Sequence, residues 1–132
     1  MKQPAGPGSG ARILVAEDNP VNQRVIEKML TKRGYHVRIA CSGREAVEVW
    51  ADWRPELILM DLQMPEMDGL EATATIRARG GDRVPIIALT ANAMKGDRER
   101  CLAGGMDGYV SKPIHVDRLE EALSEAFSAR VS

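Results

Sequence analysis

The stretch LILMDLQMPEMDG, Leu57 to Gly69, decides how the chain is read. Four apolar residues run without interruption into the carboxylate of Asp61, and Pro65 and Gly69 then break the chain. A strand with one wet face alternates apolar and polar residues, so an unbroken run bounded by turn residues fits a strand covered on both faces. The run Ile86-Ile87-Ala88-Leu89 has the same character. Outward from these two, short β-rich runs alternate with segments of helical period. In order they are RILVA, PVNQRVIEKMLTKRG, HVRIA, GREAVEVWADW, ELILM, DGLEATATIRARG, PIIALT, NAMKGDRERCLAGG, GYVS and VDRLEEALSEAFSA. This predicts five strands and five helices, arranged as an α/β domain with a parallel sheet between two helical layers.

Several helix ends carry their own signals. Asn19-Pro20 supplies an N-cap and a first-turn proline, and Gly34 closes the same helix after Lys32 and Arg33. In the last helix Leu119, Ala122, Leu123, Ala126 and Phe127 share one stripe from which Glu120, Glu121 and Glu125 fall away, as in a helix lying on a surface.

At 132 residues the chain has the size of one domain and can bury a core without disulfides or structural metal. Its opening, MKQPAGPGSGA, is rich in Pro, Gly and Ser and reads as a flexible leader over residues 1–11, ahead of a domain over 12–132. A formal net charge of -1 gives no broad basic surface, so direct nucleic-acid binding is not expected. No run is long and apolar enough to suggest membrane contact, and the N-terminus lacks the zones of a secretory signal. Cys41 and Cys101 lack metal-ligand spacing and read as small buried apolar residues of a cytoplasmic, reducing compartment. Trp50 and Trp53, three apart on one helix, read as packing residues, and His36 and His115 have no ligand partners.

In open parallel sheets ligands bind beyond the carboxyl ends of the strands. There the first strand finishes in Glu17 and Asp18, the third in Asp61, the fourth in Thr90, and the fifth in Ser111 and Lys112. If these strands are neighbours, three carboxylates, a hydroxyl and an ammonium meet at one edge. Three acids that close need compensating cations. Lys112 gives one, and a hard divalent ion such as Mg²⁺ suits an all-oxygen site without His or Cys. Met60, Met64 and Met67 nearby are apolar lining, since a hard cation avoids thioethers. Such a site is prepared for phosphoryl transfer, in which a carboxylate can itself be the nucleophile.

With these residues in view, the chain from Arg12 to Ala129 resembles the response-regulator receiver domains of two-component signalling. The resemblance rests on Glu17-Asp18 after the first strand, Asp61 followed by MPEMDG, Thr90-Ala91 after the fourth strand and Lys112-Pro113 after the fifth. AEDNPVNQ resembles in particular the receivers of hybrid sensor histidine kinases. The resemblance implies a flavodoxin-like, doubly wound (βα)5 fold with strand order 2-1-3-4-5. It implies that Asp61 accepts a phosphoryl group from a phosphohistidine on a histidine kinase or histidine-phosphotransfer partner. Asp18, Asp61 and the backbone carbonyl of Gln63 would ligate Mg²⁺, with Glu17 supporting it largely through water. Lys112 and Thr90 would hold the phosphoryl group, Tyr109 would be the aromatic switch residue, and the Lys112-Pro113 bond would be cis. Gln63 and Asn92 would tune the lifetime of the aspartyl phosphate. The output would be a change of the surface formed by the fourth helix, fifth strand and fifth helix, in a signalling domain rather than an enzyme.

Singly, each residue has a structural explanation: a solvated strand-end acid at Asp61, an Asx turn at Asp18, a helix cap at Thr90, a surface lysine at Lys112, a core aromatic at Tyr109. Their conjunction at one rim carries the functional reading. The competing class is an aspartyl-nucleophile phosphatase of haloacid-dehalogenase type, which is disfavoured because it needs a second Asp where this chain has Gln63, and a lid insertion. A stand-alone single-domain regulator, or a receiver-like scaffold no longer phosphorylated, are the remaining alternatives. The cognate kinase, stimulus and oligomeric state are not written in the sequence.

Overall fold

The computed structural model describes residues 10–81, 84–91 and 95–131. Most of the expected leader, and Asn92, lie outside them. The elements alternate along the chain: β1 (Arg12–Ala16), α1 (Pro20–Thr31), β2 (His36–Ala40), α2 (Gly43–Trp53), β3 (Leu57–Asp61), α3 (Gly69–Ala78), β4 (Ile86–Thr90), α4 (Lys95–Ala103), β5 (Gly108–Ser111) and α5 (Val116–Val131). The strands form one sheet in the order β2-β1-β3-β4-β5. Every pairing is parallel, with Ile13 opposite Leu57, Leu59 opposite Ile87 and Thr90 opposite Ser111.

The unbroken apolar runs have the predicted cause: all five residues of β3 and of β4 are buried. Because side chains alternate across a strand, each run divides between two cores. Leu14, Ala16, Ile58, Met60, Ile86 and Ala88 meet α2, α3 and α4 through Ala46, Trp50, Ala72, Ile76 and Cys101. Ile13, Val15, Leu57, Leu59, Ile87 and Leu89 meet α1 and α5 through Ile26, Leu30, Leu119, Leu123 and Phe127. The α5 stripe predicted from its spacing is the one that packs, with Phe127 stacked on Tyr35 at 6.2 Å between centroids.

Local signals set the ends. Asn19 Oδ1 accepts hydrogen bonds from the Val21 and Asn22 N–H groups at 2.8 and 3.3 Å. Asp68 and Glu71 form a reciprocal capping box on α3. Gly34 takes a left-handed φ of 90° after α1. At α5 the His115 carbonyl accepts from Leu119 N–H at 3.0 Å. One expectation is corrected: Cys101 is buried, but Cys41 is exposed, because it follows the last residue of the edge strand β2 and its side chain faces outward. Trp50 packs as predicted, whereas the half-buried Trp53 also carries the guanidinium of Arg38, 5.0 Å above its ring.

Candidate functional site

The strand order puts the carboxyl ends of β1, β3, β4 and β5 side by side, and an open cleft of about 1000 Å³ lies over them. Glu17, Asp18, Asp61, Gln63, Thr90 and Lys112 all line it, so six of the seven residues singled out from the sequence come together. Tyr109, the seventh, sits one layer back on β5, half-buried, with the Arg98 guanidinium 5.9 Å from its ring centroid. The Lys112-Pro113 peptide is cis.

Glu17 is fully buried. Its N–H donates to the Ala40 carbonyl at 2.9 Å, and its Oε2 accepts from Asn19 N–H at 3.1 Å. Gln23, from the second turn of α1, donates its amide to the Glu17 carbonyl at 2.5 Å. Thus the same Asn19 that starts α1 also fixes the acid before it. Burial pushes the Glu17 carboxyl up from its ordinary value; Lys112 and the Asn19 N–H oppose this and the charge of Asp61 adds to it.

Asp61 is 4% exposed at the tip of β3. Its Oδ1 accepts from Gln63 N–H at 3.1 Å, and its Oδ2 accepts from Lys112 Nζ at 2.8 Å. The same Nζ lies 2.9 Å from Glu17 Oε1, so one ammonium is shared by two buried carboxylates. Burial lowers the Lys112 pKa, but the hydrogen bonds and charges of Asp61 and Glu17 outweigh it, and the net shift is upward. Lys112 is in turn seated by its backbone N–H, which donates to the Thr90 carbonyl at 2.7 Å.

The loop after Asp61 is held by contacts the sequence did not reveal. Gly69 presses against β3 so closely that a Cβ there would meet the Asp61 carbonyl oxygen at 2.2 Å. Gly43, at the start of α2, does the same to the Met67 carbonyl at 2.0 Å. The left-handed turn in this loop falls on Glu66, with φ 69°, and not on the glycine. Gly69 is therefore needed for close approach, where the sequence suggested a turn.

One carboxylate oxygen from each of Glu17, Asp18 and Asp61 can be chosen so that all lie within 4.8 Å of one another. This hard, all-oxygen donor set fits Mg²⁺. Glu17 and Asp61 each have both oxygens in contact with a donor or with Lys112, leaving the exposed Asp18 as the freest of the three. Sequence reasoning missed Asp68 and Arg100, which also line the cleft. Arg100 belongs to α4, and nothing in the local pattern of that helix points to the cleft.

Residues 13–124 match the family described as response regulator receiver domain. The chain belongs to that family. It is 46% identical over 121 residues to hybrid signal transduction histidine kinase I of Dictyostelium discoideum, covering 86% of this chain and 7% of that protein. The chain thus spans only a small part of the length of that relative. It also superposes on the receiver domain of sensor histidine kinase PA1611 from Pseudomonas aeruginosa, a structure with a magnesium ion coordinated in the active-site cleft. There the TM-score is 0.83 and the identity 49%, over 91% of this chain and 99% of that one. A third relative is the receiver domain of the Saccharomyces cerevisiae response regulator Ssk1, solved with the histidine phosphotransfer protein Ypd1. There the TM-score is 0.86 and the identity 30%, over 94% of this chain and 93% of that one. This membership removes the haloacid-dehalogenase-type alternative. No helix among the described residues is long and apolar enough to cross a membrane.

Proposed function

We infer that Asp61 is the phosphoacceptor of a phosphorelay receiver domain. The observation that carries this reading is the single ammonium of Lys112 shared between Glu17 and Asp61 inside a cleft that Asp18 and Thr90 also line. In the transfer an Asp61 carboxylate oxygen forms a bond to phosphorus while the P–N bond of a partner's phosphohistidine breaks. Its electron pair leaves on the imidazole nitrogen, which takes up a proton. Lys112 would move from carboxylate to phosphoryl oxygen, and the Thr90 hydroxyl would donate to another. Asp18, Asp61 and the Gln63 carbonyl would hold Mg²⁺, with Glu17 behind them acting through water. When bound, the ion supplies positive charge that offsets the crowded acids and the incoming phosphate.

The transfer adds charge at one rim, and the response would be a shift between two conformations of the α4-β5-α5 surface, with Thr90 and Tyr109 moving together. The donor would be a histidine kinase or histidine-phosphotransfer domain. We further propose that residues 12–132 form the receiver unit behind a leader at 1–11, within a hybrid histidine kinase that works in the cytoplasm. The AEDNPVNQ stretch and the likeness to kinase receivers support that parentage over a stand-alone regulator.

With Mg²⁺ and acetyl phosphate, intact-mass measurement should find one added phosphoryl group on the wild-type chain and none on Asp61→Asn. Equal labelling of the two would reject the assignment. Mg²⁺ titration should alter tryptophan fluorescence or move amide resonances near Asp18 and Asp61, at an affinity on the order of millimolar for so few protein ligands.

A further inference from the structure

We propose that Gln23 is a positioning residue for the acid pair, holding the peptide between Glu17 and Asp18 in the orientation that presents Asp18 to the metal. This rests on the reading of Asp18 as a Mg²⁺ ligand. Gln23 is half-buried on α1, and its Nε2 donates to the Glu17 carbonyl at 2.5 Å. That carbonyl belongs to the peptide unit joining Glu17 to Asp18, a rigid plane that can turn only through ψ of Glu17 and φ of Asp18. On its other side Glu17 is tied to the sheet, its N–H donating to the Ala40 carbonyl at 2.9 Å. With both of its backbone groups fastened, the chain leaves β1 in one direction and Asp18 inherits it. Asp18 is the exposed member of the acid trio, so the direction of its carboxylate depends on the backbone that carries it. The glutamine is itself well seated. Its backbone N–H donates to the Asn19 carbonyl at 3.0 Å, and its Nε2 also lies 3.6 Å from Cys41 Sγ, just past the end of β2. An amide NH₂ carries two donors, and here one serves the Glu17 carbonyl and the other faces the sulfur. Gln23 thus ties α1 to the ends of β1 and β2 together.

The plainer role for Gln23 is to satisfy a carbonyl at the start of a loop and so to add to stability. The two roles move different quantities. A satisfied carbonyl shows in the thermal midpoint, whereas a held acid shows in the Mg²⁺ affinity of the fully folded chain.

The test compares wild type, Gln23→Leu, Gln23→His and Asp18→Asn at a temperature where all four are folded. Mg²⁺ is titrated while amide resonances near Asp18 and Asp61 are followed, and amide exchange is measured on the metal-free chains. Gln23→Leu removes both donors without altering the charge. It should bind Mg²⁺ about tenfold more weakly, the lower end of what is lost when a group supporting a metal ligand is removed. In the metal-free variant the Asn19 amide, which donates to Glu17 Oε2 at 3.1 Å, should exchange several-fold faster. The Glu71 amide, held by Asp68 Oδ1 at 2.9 Å at the start of α3, should exchange as in wild type. Gln23→His at about pH 8, neutral and with an Nε2–H of similar reach, should recover part of the affinity. Unchanged Mg²⁺ affinity in Gln23→Leu, or a loss of affinity with no change in Asn19 exchange, would overturn the inference and leave only the stabilising role. Failure of the wild-type chain to bind Mg²⁺, or equal binding by Asp18→Asn, would instead overturn the reading of Asp18 as a ligand.

Discussion

Lys112 Nζ donates to Asp61 Oδ2 at 2.8 Å while remaining 2.9 Å from Glu17 Oε1. The cation thereby holds β5, β3 and the β1–α1 loop together at the point where the fold gathers its negative charge. Replacing it leaves two buried carboxylates facing each other. Lys112→Met should lower stability by roughly 3–5 kcal/mol, as breaking a buried ion pair does. Millimolar Mg²⁺ should restore part of the loss, and EDTA should restore none. Urea unfolding with and without Mg²⁺ measures both, and a variant as stable as wild type in EDTA would contradict the shared-ammonium picture.

Gly69→Ala should damage the acceptor more than the fold. The added methyl would sit 2.2 Å from the Asp61 carbonyl, so the backbone carrying Asp61 or the start of α3 must move. Overpacking of this kind costs on the order of 1–3 kcal/mol. We expect the rate of phosphorylation by acetyl phosphate to fall at least tenfold at a temperature where the variant is still fully folded. Gly43→Ala, which strikes the same loop at the Met67 carbonyl, should show the same pattern.

Arg77 is a structural anchor far from the cleft. Its guanidinium donates to the Gly105 carbonyl at 2.6 and 3.0 Å, to the Gly81 and Val84 carbonyls at 2.6 Å, and to Asp107 at 2.9 Å. Asp107 Oδ2 also accepts from the Ile86 N–H at 2.8 Å. Arg77→Ala should cost about 3 kcal/mol, the net worth of several such bonds. It should also speed amide exchange at Ile86, while labelling of Asp61 stays near the wild-type rate. Loss of labelling without loss of stability would count against this role.

The Tyr35 hydroxyl makes an alkaline prediction. Burial raises its pKa above the ordinary value of 10.0; Arg33 opposes the shift and Glu120 adds to it. A group whose folded pKa lies above its unfolded one keeps its contribution below the unfolded value and loses it as pH rises through the folded value. Wild type should therefore lose stability above about pH 10 more steeply than Tyr35→Phe. Lys112 titrates in both chains, so the difference between the two urea midpoints isolates the phenol. Parallel curves from pH 8 to 11 would remove Tyr35 as the cause.

What the sequence could reveal follows from the range over which each cause acts. The β3 and β4 strands were legible because burial on both faces leaves an unbroken apolar run, and α1 because Asn19 and Pro20 act within one turn. Glu17, Asp18, Asp61, Thr90 and Lys112 were legible as strand-end residues, since the topology of a parallel sheet brings such ends to one edge. Gly43 against Met67, Arg77 against Gly105 and Arg100 at the cleft were not, because each depends on chain folding back from a distant segment. The exposure of Cys41 was missed for a related reason: a residue's type does not reveal which way its side chain points beyond the end of an edge strand.

The helices α4 and α5 are not seated alike. Lifting α5 away would uncover Leu119, Leu123 and Phe127 to water, whereas among the described side chains of α4 only that of Cys101 is buried. The molecule accordingly has one firmly seated helix and one loosely seated one. We expect work done by a new charge at the cleft to be taken up where the least grease has to be wetted, on the helix that carries Arg98 and Arg100.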